Sequence, residues 1–404
     1  MDLSYGEEYE EFRREVQAFL AESWPPGGDE AQLPQNEQID RFRERGVEAG
    51  YLSRSIPRKY GGSEQEADSS KAAVIGEEFR RAGAPMDLLG GGVSLLVPTL
   101  LERGEEWQKE KFIKPTIRGH IRWCQGYSEP GSGSDLASLQ TKGELVGDEW
   151  LINGQKIWTT GAQFADYCFC LVRTEPEQPK HAGISYLLID MHQPGVEVRP
   201  LKQMTGNSGF NEVFFTDART PRDWIVGKCG EGWLVSRTTL KHERSGLINV
   251  GQATSQLPAL VDLARRSTRN GRPAIEDPEI RQKLAEVEGF MLANEYSLRY
   301  RATKDIKGQD PGRIQLMAKL IRSDIGQEVA KLGMELIGDD GLLAGGAASE
   351  MGRPDGPQDN GAWVTTYMGS LAGAIAAGSS NIQRNIIGER GLGLPRDAAA
   401  QRGK

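Results

Sequence analysis

The hydrophobic residues of the first 120 positions recur at intervals of three and four, the spacing of one face of an α-helix. Five of them open the chain in this way: Tyr9, Phe12, Val16, Phe19 and Leu20. A run of proline and glycine at 25–28 then ends the pattern, because neither residue favours a helix interior. Further helical patterns cover residues 39–49, 69–81, 93–102 and 106–118. The spacing predicts an all-α N-terminal domain over residues 1–120.

The pattern changes to short apolar runs between residues 121 and 225. These runs cover residues 149–152, 155–158, 167–173, 184–190, 196–200 and 212–216. Asn153-Gly154 separates the first two, and this dipeptide favours a two-residue hairpin turn. Strands at this spacing with no helix between them predict an antiparallel β-barrel or sandwich as the middle domain, over residues 121–225.

Long helical patterns return after residue 225. They cover residues 233–264, 277–303, 313–337 and 368–390, and each is long enough to cross a helix bundle. A C-terminal four-helix bundle is therefore predicted over residues 226–404. The fold class that follows is a multidomain α+β protein in the order α, β, α.

The net negative charge of the chain arises within its first 50 residues. The 404 residues include 49 Lys and Arg against 57 Asp and Glu, for a net charge of -8 at pH 7. Residues 1–50 alone contain 13 acidic and 5 basic side chains. The excess argues against a nucleic-acid or anionic-membrane partner, but it says nothing against an anionic small molecule bound further along the chain.

Targeting and metal-binding signals are absent from the sequence. No basic segment followed by an apolar run opens the chain, and no stretch of about 18 apolar residues occurs, so a cytoplasmic protein without membrane insertion is expected. The four cysteines match neither a disulfide framework nor zinc spacing, and the four histidines are scattered, so no metal is expected. Cys168 and Cys170 are predicted to face one side of the core from a single strand.

Two polar, glycine-rich segments of the middle domain are candidates for ligand binding. Residues 125–135 read QGYSEPGSGSD, where glycines allow close approach of the backbone and hydroxyls supply hydrogen bonds. Residues 156–161 read KIWTTG, with Trp158 beside two hydroxyls at a strand end. From the residues alone, the first segment can equally be a solvated turn. Trp158 can likewise be a core residue or a side chain that stacks on a flat cofactor.

These segments resemble the two signature motifs of the acyl-CoA dehydrogenase family, as SEPGSGSD at 128–135 and NGQKIWTTG at 153–161. Residues 378–384 (GSSNIQR) resemble the C-terminal motif of that family, and residues 56–62 (IPRKYGG) resemble its N-terminal motif. The resemblance spans nearly the whole chain, with the motifs in the family's order. It implies the family's α, β, α fold, FAD as the cofactor and an acyl-CoA as the substrate.

The resemblance also assigns the cofactor contacts. The positions that correspond to flavin-ring contacts are Gln125, Tyr127, Ser128, Trp158 and Thr160, and those near the FAD phosphates and adenine are Ser379 and Asn381. By the same resemblance, Trp158 would shield one face of the isoalloxazine. Ser134 corresponds to a position that meets the CoA portion of the substrate.

The catalytic base differs in place from that of the medium-chain members. Those members have a Glu before the C-terminal motif, where this chain has Ala377. Isovaleryl-type and long-chain-type members carry the base on a bundle helix instead, and residues 240–246 (LKHERSG) match that stretch. The resemblance therefore implies that Glu243 removes the α-proton and that Ala377 contributes its backbone N–H. Arg244 and Gly378 are expected at the substrate.

Two further motifs depart from the family pattern. The arginine motif that reaches FAD across a subunit interface is only loosely present, as Arg266 and Arg269 without its Phe. The glycine-rich motif appears as ELIGDDG, with Glu335 and Gly338 at the cofactor positions. The added negative charge would weaken binding of a diphosphate. A homotetramer and an α2β2 assembly of two unlike chains, as in relatives acting on sterol side chains or dicarboxylic acyl groups, both stay open.

The function that the resemblance implies is FAD-dependent α,β-dehydrogenation of an acyl-CoA to the trans-2-enoyl-CoA. The β-hydride would pass to flavin N5, and the electrons to an electron-transferring flavoprotein. Two alternatives stay open: an acyl-CoA oxidase that uses O2, and a non-catalytic partner subunit that completes the FAD site of a neighbour. The acyl group can be straight, branched, dicarboxylic or steroidal.

Overall fold

The N-terminal part of the chain is helical, as predicted. A computed structural model describes residues 6–88, 90–246, 256–306, 309–343 and 359–395. Its first helices are α1 (Glu7–Ser23), α2 (Gln35–Glu48), α3 (Ser69–Ala82), α4 (Val97–Arg103) and α5 (Glu106–Ile117). Val16, Phe42 and Phe79 are fully buried and belong to one apolar cluster, so α1, α2 and α3 bury their apolar faces against one another.

The middle of the chain forms one seven-stranded sheet within the described residues. Its strands are β1 (Trp123–Gly126), β2 (Lys142–Val146), β3 (Glu149–Lys156), β4 (Tyr167–Arg173), β5 (Ile184–Asp190), β6 (Val196–Leu201) and β7 (Phe210–Pro221). They lie in the order β1, β4, β2, β3, β7, β6, with β5 paired to β4. The sheet is mixed and not purely antiparallel, because β1 runs parallel to β4. The chain between these two strands is long enough for the crossover that a parallel pair requires.

The hairpin turn predicted at Asn153-Gly154 is wrong. Strand β3 runs through both residues, and the turn from β2 lies at Gly147, which has φ 66°. Gly154, with φ 152°, forms an irregularity against β7, where a Cβ atom would come within 2.6 Å of a threonine hydroxyl. Asn153 donates to Asp217 at 2.9 Å. The dipeptide therefore serves a bulge between strands, since that backbone conformation also requires glycine.

The cysteines of β4 lie in the core, as predicted. Cys168 and Cys170 are buried, and both sulfur atoms lie within 2.9 Å of the point where a Cβ atom on Gly126 would stand. The two sulfurs therefore share one side of the strand. Glycine at position 126 allows β1 to lie close to β4.

The C-terminal part of the chain is again helical. Its elements are α6 (Gly232–Gly246), α7 (Gln256–Arg266), β8 (Thr268–Arg269), β9 (Arg272–Pro273), α8 (Pro278–Ile306), α9 (Ile314–Ile337), α10 (Asp340–Leu343), α11 (Asn360–Gly373) and α12 (Ser380–Ile386). Helices α9 and α11 pack closely because Gly333 leaves room for the fully buried indole of Trp363. Among the described helices, none has the length and apolarity that crossing a bilayer requires.

Two of the predicted bundle helices are divided. The pattern over 233–264 corresponds to α6 and α7, with residues 247–255 outside the described part. The pattern over 368–390 is divided because α11 ends at Gly373 and α12 begins only at Ser380. Ala377 and Gly378 have φ values of 52° and 86°, which no right-handed helix accommodates. This break contains the start of the C-terminal motif.

Candidate functional site

The two glycine-rich segments of the middle domain lie side by side. The first follows β1 and the second follows β3, and the Ile157 N–H donates to the Ser128 carbonyl oxygen at 2.9 Å. The Lys156 ammonium donates to the Tyr127 carbonyl oxygen at 3.2 Å. The structure therefore brings residues 125–128 close to Trp158 and its neighbours.

A buried ion pair holds the first segment against β3. Lys156 Nζ lies 2.8 Å from a carboxylate oxygen of Glu129, and the two side chains are 0% and 6% exposed. The same carboxylate accepts the backbone N–H groups of Gln140 at 2.6 Å and Thr141 at 2.8 Å. Both buried charges are thus compensated, as burial requires. Both residues lie within the two motifs, but no pattern in the sequence indicates that they pair.

The Glu129 carboxylate is held in its charged form. Burial by itself would raise its pKa, but the Lys156 charge and the hydrogen bonds from Lys156, Thr141 and the Gln140 amide outweigh that effect. The pKa of Glu129 therefore lies below its usual value of 4.5. At neutral pH the ion pair persists and fixes the loop to the sheet.

Trp158 is exposed, so the alternative of a core tryptophan is wrong. Its side chain is 58% exposed and contacts Phe210 edge-to-face, with ring centroids 6.1 Å apart. Its φ is 62°, and left-handed backbone in a bulky residue costs about 1–2 kcal/mol. Such strain persists where the surrounding structure imposes it, and it concentrates at ligand sites. The indole ring is therefore accessible to a ligand.

The polar groups around Trp158 fit a flat heteroaromatic ligand. The side chains of Gln125, Ser128 and Thr160 make no hydrogen bond to another residue in the described ranges. The Thr159 hydroxyl is buried and lacks a partner among the same residues. An indole face with amide and hydroxyl groups at its border matches the ring and the polar edge of a flavin.

Tyr127 has its side chain in the core. Its ring contacts Phe169 and Tyr186 edge-to-face, with centroids 6.2 Å and 6.3 Å away. Tyr127 is only 6% exposed. A contact between this residue and a flavin would therefore use its backbone.

A cavity of about 760 Å³ lies between α4, α6 and the turn that follows α12. Its charged lining consists of Arg103, Arg237, Lys241 and Arg390, with a carboxylate from Glu102. This excess of cations creates a positive potential, and guanidinium groups bind phosphate through paired hydrogen bonds. The cavity therefore suits a phosphorylated ligand.

Aromatic rings line the same cavity, and an ion pair beside them joins it to the first segment. His181 and Trp233 contact each other edge-to-face, with centroids 4.6 Å apart. Lys180 forms an ion pair with Asp135, which joins the loop carrying Ser134 to the connection that carries His181. Ser134 is exposed on this loop. Ser134, the predicted CoA contact, therefore lies on a loop that this ion pair joins to the connection carrying His181.

Glu102 organises the last turns of α6. Its carboxylate lies 2.7 Å from His242 Nε2 and 3.5 Å from Lys241 Nζ. Burial would raise the pKa of Glu102, but the hydrogen bond with His242 and the Lys241 charge hold it below the usual value. Glu243 and Arg244 follow directly on this helix. The α6 backbone is described to its last residue, whereas the side chains from position 243 onward lie outside the described part.

The break between α11 and α12 presents backbone donors. The N–H groups of residues 377–379 donate to no acceptor in the described part of the chain. Ala377 adopts the left-handed backbone conformation, which costs about 1 kcal/mol for a residue other than glycine. Ser379 caps α12 by accepting the Ile382 N–H at 3.4 Å, and Asn381 is exposed in the first turn. The predicted Ala377 donor is therefore available to a ligand.

Two of the four residues predicted to reach a neighbour's FAD, Arg269 and Glu335, belong to a charge network within their own chain. Arg269 lies 3.2 Å from a Glu335 oxygen and pairs with two further carboxylates, while Lys283 lies 2.9 Å from Glu335. With its donors directed at carboxylates, this cluster does not fit a diphosphate. The remaining two positions, Arg266 and Gly338, are the last residue of α7 and the residue that follows α9.

Sequence reasoning missed the cations of the cavity. Trp233, Arg237 and Lys241 recur at every fourth position of α6, which places them on one helix face, and that spacing is the signal that was available. Arg103 and Arg390 come from distant elements, and no sequence pattern joins them to α6.

Sequence profiles of three acyl-CoA dehydrogenase domains match the chain. The N-terminal domain matches residues 6–120, the middle domain 124–218 and the C-terminal domain 230–392. The acyl-CoA dehydrogenase IpdE1 of Mycobacterium tuberculosis is 39% identical, in an alignment that covers 97% of this chain and 99% of IpdE1. Similarity therefore extends along the whole chain and not only over the motifs.

Solved structures show the same fold. The ChsE4-ChsE5 complex of Mycobacterium tuberculosis contains a chain with a TM-score of 0.75 and 28% identity, covering 98% of this chain and 100% of that one. A chain of the Tcur3481-Tcur3483 steroid ACAD has a TM-score of 0.74 and 27% identity, with coverage of 98% and 100%. The chain therefore belongs to the acyl-CoA dehydrogenase family, as its motifs predicted, and is an acyl-CoA dehydrogenase.

Proposed function

We propose that the chain binds FAD and dehydrogenates a steroid-derived acyl-CoA between its α and β carbons, giving the trans-2-enoyl-CoA. The observation that carries the proposal is the cationic cavity, which the ion pair between Lys180 and Asp135 joins to the loop of the first glycine-rich segment. The likeness to the Tcur3481-Tcur3483 steroid ACAD supports a steroidal acyl group.

The cavity would hold the CoA portion of the substrate. Arg103, Arg237 and Arg390 would bind its phosphates, and the Trp233 ring supplies a surface for the adenine. Its volume of about 760 Å³ is in the range of small-molecule sites. Ser134, on the adjoining loop, would contact the CoA chain where it turns toward the flavin segments.

The middle domain would hold the flavin. The Trp158 indole would cover one ring face, and the side chains of Gln125, Ser128 and Thr160 would bond to the polar edge. FAD, when bound, accepts the hydride that leaves the β carbon. The ion pair between Glu129 and Lys156 keeps these groups in place before any ligand arrives.

The C-terminal helices would supply the acid–base chemistry. Glu243 on α6 removes the α-proton, for which its carboxylate must approach the α carbon within hydrogen-bonding range, about 3 Å. The C–H electrons form the new double bond as the β-hydride departs. Negative charge that develops on the thioester oxygen meets the Ala377 N–H, a preorganised donor. Arg244 and Gly378 would border the thioester.

An unlike partner chain would complete the assembly as α2β2. Arg269 and Glu335 neutralise each other where a neighbour's diphosphate would be expected, so two copies of this chain would not complete each other's sites. The ChsE4-ChsE5 and Tcur3481-Tcur3483 structures each combine two differently named chains. An electron-transferring flavoprotein would then accept the electrons.

The proposal is tested by anaerobic titration of the purified protein with CoA thioesters. The chain is prepared alone and co-expressed with candidate partners, and its visible flavin spectrum is recorded. Steroidal CoA thioesters are expected to bleach the flavin at least tenfold faster than straight, branched or dicarboxylic ones. A protein without flavin in every preparation contradicts FAD binding, and oxygen uptake without an added acceptor would identify an oxidase.

Truncation of Trp158 should loosen FAD without unfolding the protein. Trp158→Ala is expected to raise the FAD dissociation constant about 2- to 12-fold, because stacking against an aromatic ring contributes about 0.5–1.5 kcal/mol. Its stability should change little, since the side chain is 58% exposed. Fluorescence titration of the apoprotein with FAD measures the affinity.

The matched control for this prediction is Trp150, on strand β3, which immediately precedes the Trp158 segment. Trp150 is 6% exposed, and its indole N–H donates to the Arg222 carbonyl at 3.1 Å. Trp150→Ala should therefore cost about 3–5 kcal/mol of stability. Equal destabilisation by the two variants, with unchanged FAD affinity for Trp158→Ala, would show that Trp158 is only a packing residue.

A further inference from the structure

We propose that Lys319 and Ser323 of α9 are positioning residues that hold the end of α11 so that the Ala377 N–H points at the thioester oxygen. The inference rests on the proposed function, in which that N–H stabilises the developing negative charge. It adds two side chains that do not touch the substrate and act through the Gly373 carbonyl.

The contact between α9 and the end of α11 is direct. Lys319 Nζ donates to the Gly373 carbonyl oxygen at 2.7 Å, and the Ser323 hydroxyl lies 2.9 Å from the same oxygen. Gly373 is the last residue of α11, where carbonyl groups lose their partners within the helix. The Lys319 ammonium therefore replaces a missing donor at the residue where the chain leaves the helix. The single proton of the Ser323 hydroxyl is shared between the carbonyl oxygens of Gly373 and Lys319, each 2.9 Å away.

A lysine is well suited to this place. A charged donor forms a stronger bond than a neutral one, and a cation at a helix C-terminus is favoured by the helix dipole. Burial lowers the pKa of Lys319, an effect that the charge of Asp324 partly offsets. The half-buried ammonium is directed at the Gly373 carbonyl, so its desolvation is compensated mainly by that contact.

The far end of the break is fixed as well. The Ser380 N–H donates to the Ala374 carbonyl at 2.8 Å, which closes the loop on itself. The buried Gln383 side chain lies 3.5 Å from the Gly378 carbonyl oxygen. With both ends held, the left-handed conformation of Ala377 is imposed by its surroundings, as such conformations require.

The expected effect follows from geometry. Removing one preorganised donor to an oxyanion costs about 100- to 1,000-fold in kcat. A displacement of about 1 Å in a positioned group can cost about 100-fold. Loss of the Lys319 contact should shift the Ala377 N–H without removing it, so the penalty should be smaller than complete loss of the donor.

The test compares two lysines of the same helix. Lys319→Met is expected to lower kcat about 10- to 100-fold with KM within threefold, while Lys319→Arg recovers most of the rate because it keeps a charged donor. Lys331→Met is the matched control, since Lys331 also lies on α9 and forms an ion pair with the exposed Glu328. An α,α-dideuterated substrate should give a larger isotope effect on flavin reduction in Lys319→Met than in Lys331→Met.

A second measurement does not depend on turnover. The Ala376 N–H bonds to the Ala372 carbonyl at the end of α11, and the Ser380 N–H bonds to the Ala374 carbonyl across the break. Amide hydrogen exchange at both residues should accelerate about tenfold in Lys319→Met and in Ser323→Ala but not in Lys331→Met. If Lys319→Met fails to fold, Ser323→Ala is the variant compared in both measurements. An inactive wild type together with this accelerated exchange would refute the proposed function. It would still support the role of Lys319 and Ser323 in holding the end of α11. Unchanged exchange, or a raised KM with unchanged kcat, would overturn the inference.

Discussion

Replacing Glu243 by glutamine is expected to lower the rate of flavin reduction by an acyl-CoA about a thousandfold. General bases contribute about 100- to 10,000-fold, and the amide retains the size of the side chain while losing its ability to take a proton. Binding of FAD and of the thioester should be preserved, because glutamine matches glutamate in shape and still forms hydrogen bonds. Stopped-flow absorbance under anaerobic conditions measures the bleaching.

The control for this variant is Glu328→Gln. Glu328 is an exposed residue of α9 that pairs with Lys331, and the same chemical change there should leave the bleaching rate within twofold of the wild type. A Glu243→Gln protein that reduces its flavin at the wild-type rate would disprove the assignment of the base. Loss of FAD from this variant would instead indicate a structural role for the residue.

Glu129→Gln should destabilise the protein by about 3–5 kcal/mol and release FAD. The substitution leaves the Lys156 ammonium buried without its counter-charge, which is among the most destabilising single changes. The loop carrying Ser128 would lose its attachment to β3, so the flavin segment would no longer be held. Urea unfolding followed by circular dichroism gives the stability, and the flavin spectrum gives the cofactor content.

An exposed ion pair on the neighbouring strand provides the control. Glu144 pairs with Lys142 on β2, where both side chains are about half exposed, so Glu144→Gln should change stability by less than about 0.5 kcal/mol. Glu129→Gln combined with Lys156→Met should recover part of the loss, because no buried charge remains. If Glu129→Gln lowered the free energy of unfolding as little as Glu144→Gln does, the buried ion pair would not be what holds the loop.

The same carboxylate gives a pH dependence. Because the pKa of Glu129 in the folded state lies below its usual value of 4.5, its stabilising contribution is present above that value. The contribution is lost as the pH falls through the folded pKa. The wild type should therefore lose its stability advantage over Glu129→Gln on acidification below about pH 4.5.

The order of helical and sheet regions could be predicted from sequence because the spacing of apolar residues records burial directly. Two predictions failed for the same reason: the local sequence pattern indicated one structure, but contacts with residues distant in sequence accompany another. Asn153-Gly154 has the composition of a hairpin turn, but its partner is β7 and its role is a bulge. The helical pattern across residues 368–390 continues through Ala377, yet the helix ends at Gly373, whose carbonyl oxygen accepts a hydrogen bond from Lys319 of α9.

The candidate site could be predicted only where one short segment contains it. The proposed flavin segments, including Trp158, lie within continuous motifs, so a resemblance was enough to predict them. The cavity could not be predicted from the sequence. Arg103 and Arg390 approach Arg237 only when the N-terminal helices and the turn after α12 pack against α6. The motif around Ala377 does not by itself tell whether the catalytic site has been lost. The donor proposed at this position is a backbone N–H, which does not depend on the side chain.

The ion pair between Glu129 and Lys156 also bears on how the cofactor is acquired. A flexible loop would have to be immobilised as FAD binds, and the ordering entropy would be subtracted from the affinity. Here both flavin segments are joined by a buried contact and a backbone hydrogen bond within the polypeptide itself. The apoprotein therefore holds a preformed receptor, and FAD should associate in a single kinetic phase whose rate rises in proportion to FAD concentration.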